Sequence, residues 1–456
     1  MQARYHRVAV RGSISVGMMA MALLLPAVGR SEVCGFGLEL TANEYWTLDQ
    51  ASPSVAALAD GAFLVTWHSR GSFGDDTDDR SIQARRYTAN GTPIDGVEFQ
   101  VNTDTTGRQY YTAVTAQGDD GFVVVWNHNP AAPQQELDLR AQRFALDATP
   151  SGGEFEINSF TPDDQILAKV GADADGDFVV TWSSRSSAGS DTSGLSIQAR
   201  RFTADGVPKG ADFQVNSSTA GDQWFSDVAV APGGEFVVVW MNTNPGSDGS
   251  GSSIRAQLFA ADGDPEGPEL QVNSFTPNDQ RAPRVASFPG GGFLVSWNSW
   301  ASAGSDTDQS SVQARRFSAS GFPMGPDFQV NSYTTDSQVA PTIAVDADGS
   351  FVVTFTTLFP SPAGDSDVSS VLARGFDASG VPRGPDRQVN LKEIGAQEFS
   401  AIAMRGDGGV LIAWNSELSP DDPDDFGVSL RRFHNRPLLC DGFESGDTSA
   451  WSVTVP

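Results

Sequence analysis

Short apolar runs closed by an aromatic residue recur along the chain: FLVTW (63–67), FVVVW (122–126), FVVTW (178–182), FVVVW (236–240), FLVSW (293–297), FVVTF (351–355) and VLIAW (410–414). The closing aromatics are 59, 56, 58, 57, 58 and 59 residues apart. A unit of about 58 residues is thus written seven times, the mark of a repeat architecture. Each unit holds four short extended segments. Segment A is PRVASF-like (283–288), and B is the aromatic run behind a Gly-rich turn such as PGGG or DADGD. Segment C is SVQARRF-like (311–317) and D is FQVN-like (328–331). Val, Ile, Phe and Trp fill these segments, and Gly, Asp, Asn and Pro separate them. No stretch shows a helical period. Run B is apolar at successive positions, as in a sheet covered on both faces; a half-exposed strand would alternate. Four strands per unit predict an all-β fold, a seven-bladed β-propeller of four-stranded blades.

Two amides keep a fixed place in this pattern. A Gln stands 17 residues before each closing aromatic: Gln50, Gln109, Gln165, Gln223, Gln280, Gln338 and Gln397. An Asn stands seven residues before each Gln: Asn43, Asn102, Asn158, Asn216, Asn273, Asn331 and Asn390. The first D-type segment precedes unit one, since LELTAN (38–43) aligns with PELQVN (268–273), and the last unit stops after C, at Phe433. A solenoid has no use for that offset. A closed ring does, because the N-terminal strand then completes the last blade and removes the exposed edges. On this reading QVNSFTPNDQ (271–280) is an outer strand plus the loop into the next blade. The predicted propeller spans 37–433 and a tail follows, 434–456.

Composition adds a location. Residues 1–30 carry Arg4, Arg7 and Arg11, then the apolar VGMMAMALLLPAV (16–28), then AVG (27–29) as a cleavage signal with GRS (29–31) as the next choice. They read as a secretory signal peptide. The apolar run is too short for a membrane span. The whole chain has 29 basic against 57 acidic residues, a net charge of −28, and loss of the leader with its four Arg residues leaves −32. That balance argues against nucleic acid and anionic lipid as partners. It suits an extracellular or cell-surface protein with no membrane span after signal removal.

The units resemble the "QVN…DQ…P-x-V-A…GGFVVxW…I-x-A-R-R-F…G-x-P-x-G" repeats of secreted bacterial tandem-repeat β-propeller proteins. Such repeats also occur in large repeats-in-toxin-associated exoproteins, and NPGSDGSGSSIRAQLF (244–259) is close to that pattern. The likeness covers 38–433 and implies the repeat type and export, but no particular activity. The tail segment CDGFESGDTSAWS (440–452) resembles a C-terminal segment of other exported bacterial proteins.

Candidate chemistry is sparse. The Asn/Gln set offers either a ring of ligand-binding amides or caps for backbone groups in the D–A loops; sevenfold identity favours caps. The B–C loops are acidic: GDDTDDR (74–80), SAGSDTSG (187–194), PGSDGSGS (245–252), SAGSDTDQ (302–309), AGDSDVSS (363–370) and PDDPDDFG (420–427). In a propeller the B–C and D–A loops share one face, so these carboxylates gather on one rim. Asp76, Asp78, Asp191, Asp248, Asp306, Asp308, Asp365 and Asp367 are candidate oxygen ligands for calcium, the one cofactor suggested; solvated loops are the plain alternative. DADGD (173–177) and DADGS (346–350) read as hairpin turns. His6 is in the leader, and His68, His128 and His434 fall in different units, which argues against His-based metal or triad catalysis. No Cys-x-x-Cys, phosphate loop, basic-aromatic stripe or sialidase-type Asp box occurs. A glycosidase-type carboxylate pair stays open.

Cys34 lies nine residues before Asn43, and Cys440 lies seven after Phe433. Transferred to the unit of Phe317 and Asn331, these offsets land on Phe322 and Met324, in one C–D turn. A ring closed by its N-terminal strand therefore predicts a Cys34–Cys440 disulfide in an oxidising compartment. The observations point first to a secreted non-catalytic propeller, a binding or scaffold module for a surface glycan or another exoprotein. Two alternatives stay open: a secreted carbohydrate-active enzyme using carboxylates on the propeller face, and a structural protein of the cell envelope.

Overall fold

In unit five, A is Gln280–Ser287, B is Phe293–Trp300, C is Ser310–Phe317 and D is Phe328–Gln329, each antiparallel to the next. The computed structural model describes residues 38–434 except 46, 77–78, 131–135, 245–248, 303, 359–368, 393–394 and 420–421. Among the described residues there is no α-helix, and the strands form five four-stranded sheets and one eight-stranded sheet. The eight-stranded sheet is two A-B-C-D sets joined by one parallel bridge between Arg80 and Arg108. This is an all-β, propeller-type fold.

The last set takes its fourth strand from the other end of the chain. Leu40–Thr41 pairs antiparallel with Asp422–His434, placing Leu40 opposite Leu430 and Thr41 opposite Ser429. The Ala42 N–H continues the pairing by donating to the Val428 carbonyl at 2.7 Å.

The core lies between sheets, not within one. Seven clusters of buried side chains each join two neighbouring units. In unit five, Phe293, Val295 and Trp297 pack on unit four through Val237, Val239 and Ile254, while Leu294 packs on unit six with Phe351 and Val353. Run B is apolar at successive positions because alternate side chains enter two different cores. The cluster around Trp67 joins unit one to Ala403, Leu411 and Val428 of unit seven. Full burial of each Val, Leu, Ile or Phe stabilises by about 1.5–3 kcal/mol, so seven such interfaces dominate the stability. In units two to six the first Phe of B stacks on the closing Phe of C, as Phe293 does on Phe317 with centroids 5.0 Å apart.

Candidate functional site

The D–A loops use both fixed amides internally. All seven Asn and all seven Gln side chains are buried. Each Asn Oδ1 accepts a backbone N–H from strand C of its own sheet, from Ile82, Leu139, Ile197, Ile254, Val312, Val371 and Val428 in turn. Each Asn Nδ2 donates to the carbonyl two residues further on. The Val428 partner is Asn43, so this cap joins residues from the two ends of the chain. The Gln Nε2 groups donate to loop carbonyls, as Gln280 does to Pro277 at 3.1 Å. Gln165, Gln280 and Gln397 also accept the indole N–H of Trp182, Trp297 and Trp414 at 2.8, 3.0 and 2.9 Å.

Three rim carboxylates turn inward onto these amides. Asp76, Asp191 and Asp306 are buried and accept from the Nδ2 of Asn102, Asn216 and Asn331 at 2.7, 2.8 and 2.7 Å. Burial pushes the Asp191 and Asp306 carboxyls above the usual range, against the pull of their hydrogen bonds. Asp308 stays exposed and accepts the Asp336 N–H at 3.1 Å. Among the described residues no three His, Cys, Asp or Glu side chains converge as a metal site. Asp78, Asp248, Asp365, Asp367, Cys34 and Cys440 lie outside the described residues.

A second carboxylate set escaped sequence reasoning. An acid stands four residues before every fixed Asn: Glu39, Glu98, Glu154, Asp212, Glu269, Asp327 and Asp386. Each accepts two consecutive backbone N–H groups from the D–A loop of the preceding unit. Asp327 holds Ser274 and Phe275 at 2.8 and 2.9 Å. Glu39 holds Leu391 and Lys392 of the last unit at 2.6 and 3.2 Å. Arg315 completes the clasp in unit five, with Nε 3.5 Å from Asp327 and Nη1 donating to the Val272 carbonyl at 2.8 Å. The invariant acid was visible in the sequence, but nothing local showed that its partner sits one unit back.

Two residues after every Gln, the backbone enters the left-handed region. Ser52, Tyr111, Leu167, Phe225, Ala282, Ala340 and Phe399 have φ of 55, 54, 61, 56, 51, 53 and 53°. The cause is a β-bulge. The A–B register slips by one residue at this point in all seven pairs, between Arg281 and Arg284 in unit five. Left-handed backbone costs a non-Gly residue about 1–2 kcal/mol, and Gly would remove that cost. None of the seven is Gly. All of them except Ala282 line one cavity of about 360 Å³, to which strand A of every unit contributes. Tyr111, Phe225 and Phe399 are 45, 36 and 56% exposed there.

Deeper on the same strands, two residues beyond the bulge, stand Lys169, Asp227 and Arg284. Lys169 and Arg284 line the cavity. Asp227, between them, accepts the Val285 N–H at 2.9 Å and does not line it. Among the described residues neither cation forms an ion pair, and Arg284 has one long hydrogen bond, 3.4 Å, to the Pro283 carbonyl. Burial pushes the Lys169 ammonium down to about 8, assisted by the like charge of Arg284 and opposed by Asp227. Ser52, Thr112, Ser226, Thr342, Ser400 and Asn415 supply hydroxyls and an amide. His68 packs edge-on against Tyr111, centroids 6.1 Å apart, and is held neutral, its pKa lowered to about 3 by burial and then by Arg80. No carboxylate lines the cavity among the described residues.

No protein-family model and no curated protein matches the chain. Among solved structures it is similar to a protein of unknown function from Dyadobacter fermentans, at 9% identity and TM-score 0.50, over 87% of this chain and 98% of that one. It is similar to a fungal alcohol oxidase in complex with copper, at 11% identity and TM-score 0.50, over 88% and 77% of the two chains. An α-L-arabinofuranosidase of Fusarium graminearum with an iminosugar inhibitor follows at 12% and 0.46, over 88% and 98%. At such identities the first two likenesses concern the fold alone.

Proposed function

We propose that this chain is a seven-bladed β-propeller closed by its N-terminal strand, and that its central cavity binds a saccharide without cleaving it. Closure is supported by the seven inter-unit cores, which run from unit to unit and return from the last to the first. The binding reading is carried by one observation: Tyr111, Leu167, Phe225 and Phe399 are held on strained backbone around a single cavity. A sugar ring has an apolar C–H face and a rim of hydroxyls. Aromatic side chains meet the first, and the hydroxyls and amide of the wall meet the second. Hydrolysis of a glycosidic bond canonically uses two carboxylates flanking it. The cavity wall has none among the described residues, which favours binding over hydrolysis of this kind. The leader and the repeat resemblance extend the proposal to an exported protein of the secreted tandem-repeat kind.

A glycan array with the purified protein lacking its leader, followed by product analysis, tests this. Retention of a saccharide without new reducing ends is expected. Tyr111→Ala and Phe399→Ala should each weaken binding about tenfold, the effect of roughly 1.4 kcal/mol. Appearance of product would overturn the non-catalytic reading in favour of a carbohydrate-active enzyme.

A further inference from the structure

We propose that the cavity selects anionic saccharides, seating a carboxylate or sulfate group between Lys169 and Arg284. This rests on the saccharide reading above. The chain carries a net charge of −28, yet the charged side chains lining its cavity are both cationic. Elsewhere several Arg residues of strand C are held by carboxylates, as Arg200 is by Asp212 at 3.5 Å and Arg374 by Asp386 at 3.8 Å. Lys169 and Arg284 have no such partner among the described residues, and Asp227 is engaged by the Val285 N–H.

Architecture does not demand these cations. The equivalent positions on the other A strands are Ser54, Ala113, Asp227, Thr342 and Ala401. Two cations with one carboxylate, Asp227, near them leave a net positive charge in a confined, partly desolvated space; that destabilises the free protein, and a bound anion relieves it. The aromatic side chains on the neighbouring wall are Phe225, on the strand between the two cations, and Tyr111, on the strand before Lys169. A sugar ring stacked there places an acidic substituent over the pair. Arg284 supplies a planar fork suited to carboxylate or sulfate, and Lys169 a compact charge.

Titration calorimetry with four probes tests the inference: oligogalacturonate, its full methyl ester, a sulfated galactan oligosaccharide and its desulfated form. Wild-type protein should bind at least one acidic probe about tenfold or more tighter than its neutral counterpart, and the arm that shows this separates carboxylate from sulfate. Lys169→Met and Arg284→Met should lose that preference, with circular dichroism reporting an intact fold. Lys169→Arg should retain most of it. Equal binding of acidic and neutral probes would overturn the charge selection and leave the saccharide reading standing. Binding of none of the four, with an intact fold by circular dichroism, would overturn both.

Discussion

In the D–A loops, all seven Asn side chains make the same pair of backbone hydrogen bonds, and all seven preceding acids clasp the same two N–H groups. At the bulge, a few residues along the same strands, the side chain reads Ser, Tyr, Leu, Phe, Ala, Ala and Phe. Both regions repeat their backbone sevenfold. Only the loops repeat their chemistry. A group that satisfies buried backbone must match a partner that never changes, so it cannot vary. A group that faces a cavity meets whatever enters it, and one ligand does not have sevenfold symmetry. Uniformity therefore marks architecture here, and broken symmetry marks the surface open to function.

The comparison breaks most sharply at the Asn. Asn331→Ala should destabilise by about 2–4 kcal/mol, because it leaves the Val312 N–H buried without its acceptor and removes a donor from Asp306. Denaturant titration reads the loss, and ligand affinity of the folded fraction should stay unchanged. A stability loss below about 0.5 kcal/mol would show the amide to be dispensable.

The seam sharpens it next. Glu39→Ala and Asp327→Ala remove equivalent clasps, one across the chain ends and one inside the chain. Each should cost about 1–3 kcal/mol. A much smaller cost at Glu39 would mean that the first and last units are held more loosely than the others.

At the cavity the sign should reverse. The Lys169 ammonium is lowered to about 8 from its ordinary 10.5. Between those values the unfolded chain keeps a proton that the folded chain has released, so stability should rise as pH rises from about 8 to 10.5. The groups that set this shift are Arg284 and Asp227, with burial the largest cause. Lys169→Met should be more stable than wild type at pH 7 and should flatten that window. Thermal melts across pH check both, and a Met variant less stable at pH 7 would mark Lys169 as structural.

The smallest stability effect belongs to the bulge. Tyr111→Gly relieves left-handed strain but frees the unfolded chain, two terms of about 1 kcal/mol that oppose each other. Stability should move by less than about 1 kcal/mol while saccharide binding falls about tenfold. Unchanged binding with any probe the wild type retains would remove Tyr111 from the site.

The strands were legible because their signal is local: apolar runs, Gly and Asp turns and fixed spacing all describe one unit at a time. The circular shift of the D strand was legible too, and Leu40–Thr41 does pair with Asp422–His434. The Asn and Gln could be located but not given partners, since a partner such as Ile254 for Asn273 lies on a different strand. The carboxylates of Asp76, Asp191 and Asp306 looked like rim chemistry because sequence shows an acid without showing which way it turns. The bulge residues left no mark, because nothing in "QWF" (223–225) or "QEF" (397–399) distinguishes a left-handed Phe from an ordinary strand residue.

By itself the sequence determined the period, the four-strand unit and the order of strands along the chain, because backbone propensity and apolar pattern act over a few residues. Tertiary structure alone decided that seven A strands share one cavity, that Lys169 and Arg284 face it together, and that each acid clasps its neighbour's loop. Those contacts join residues about one unit apart or more. Their partners are chosen by how the sheets pack on one another, and no local pattern records that choice.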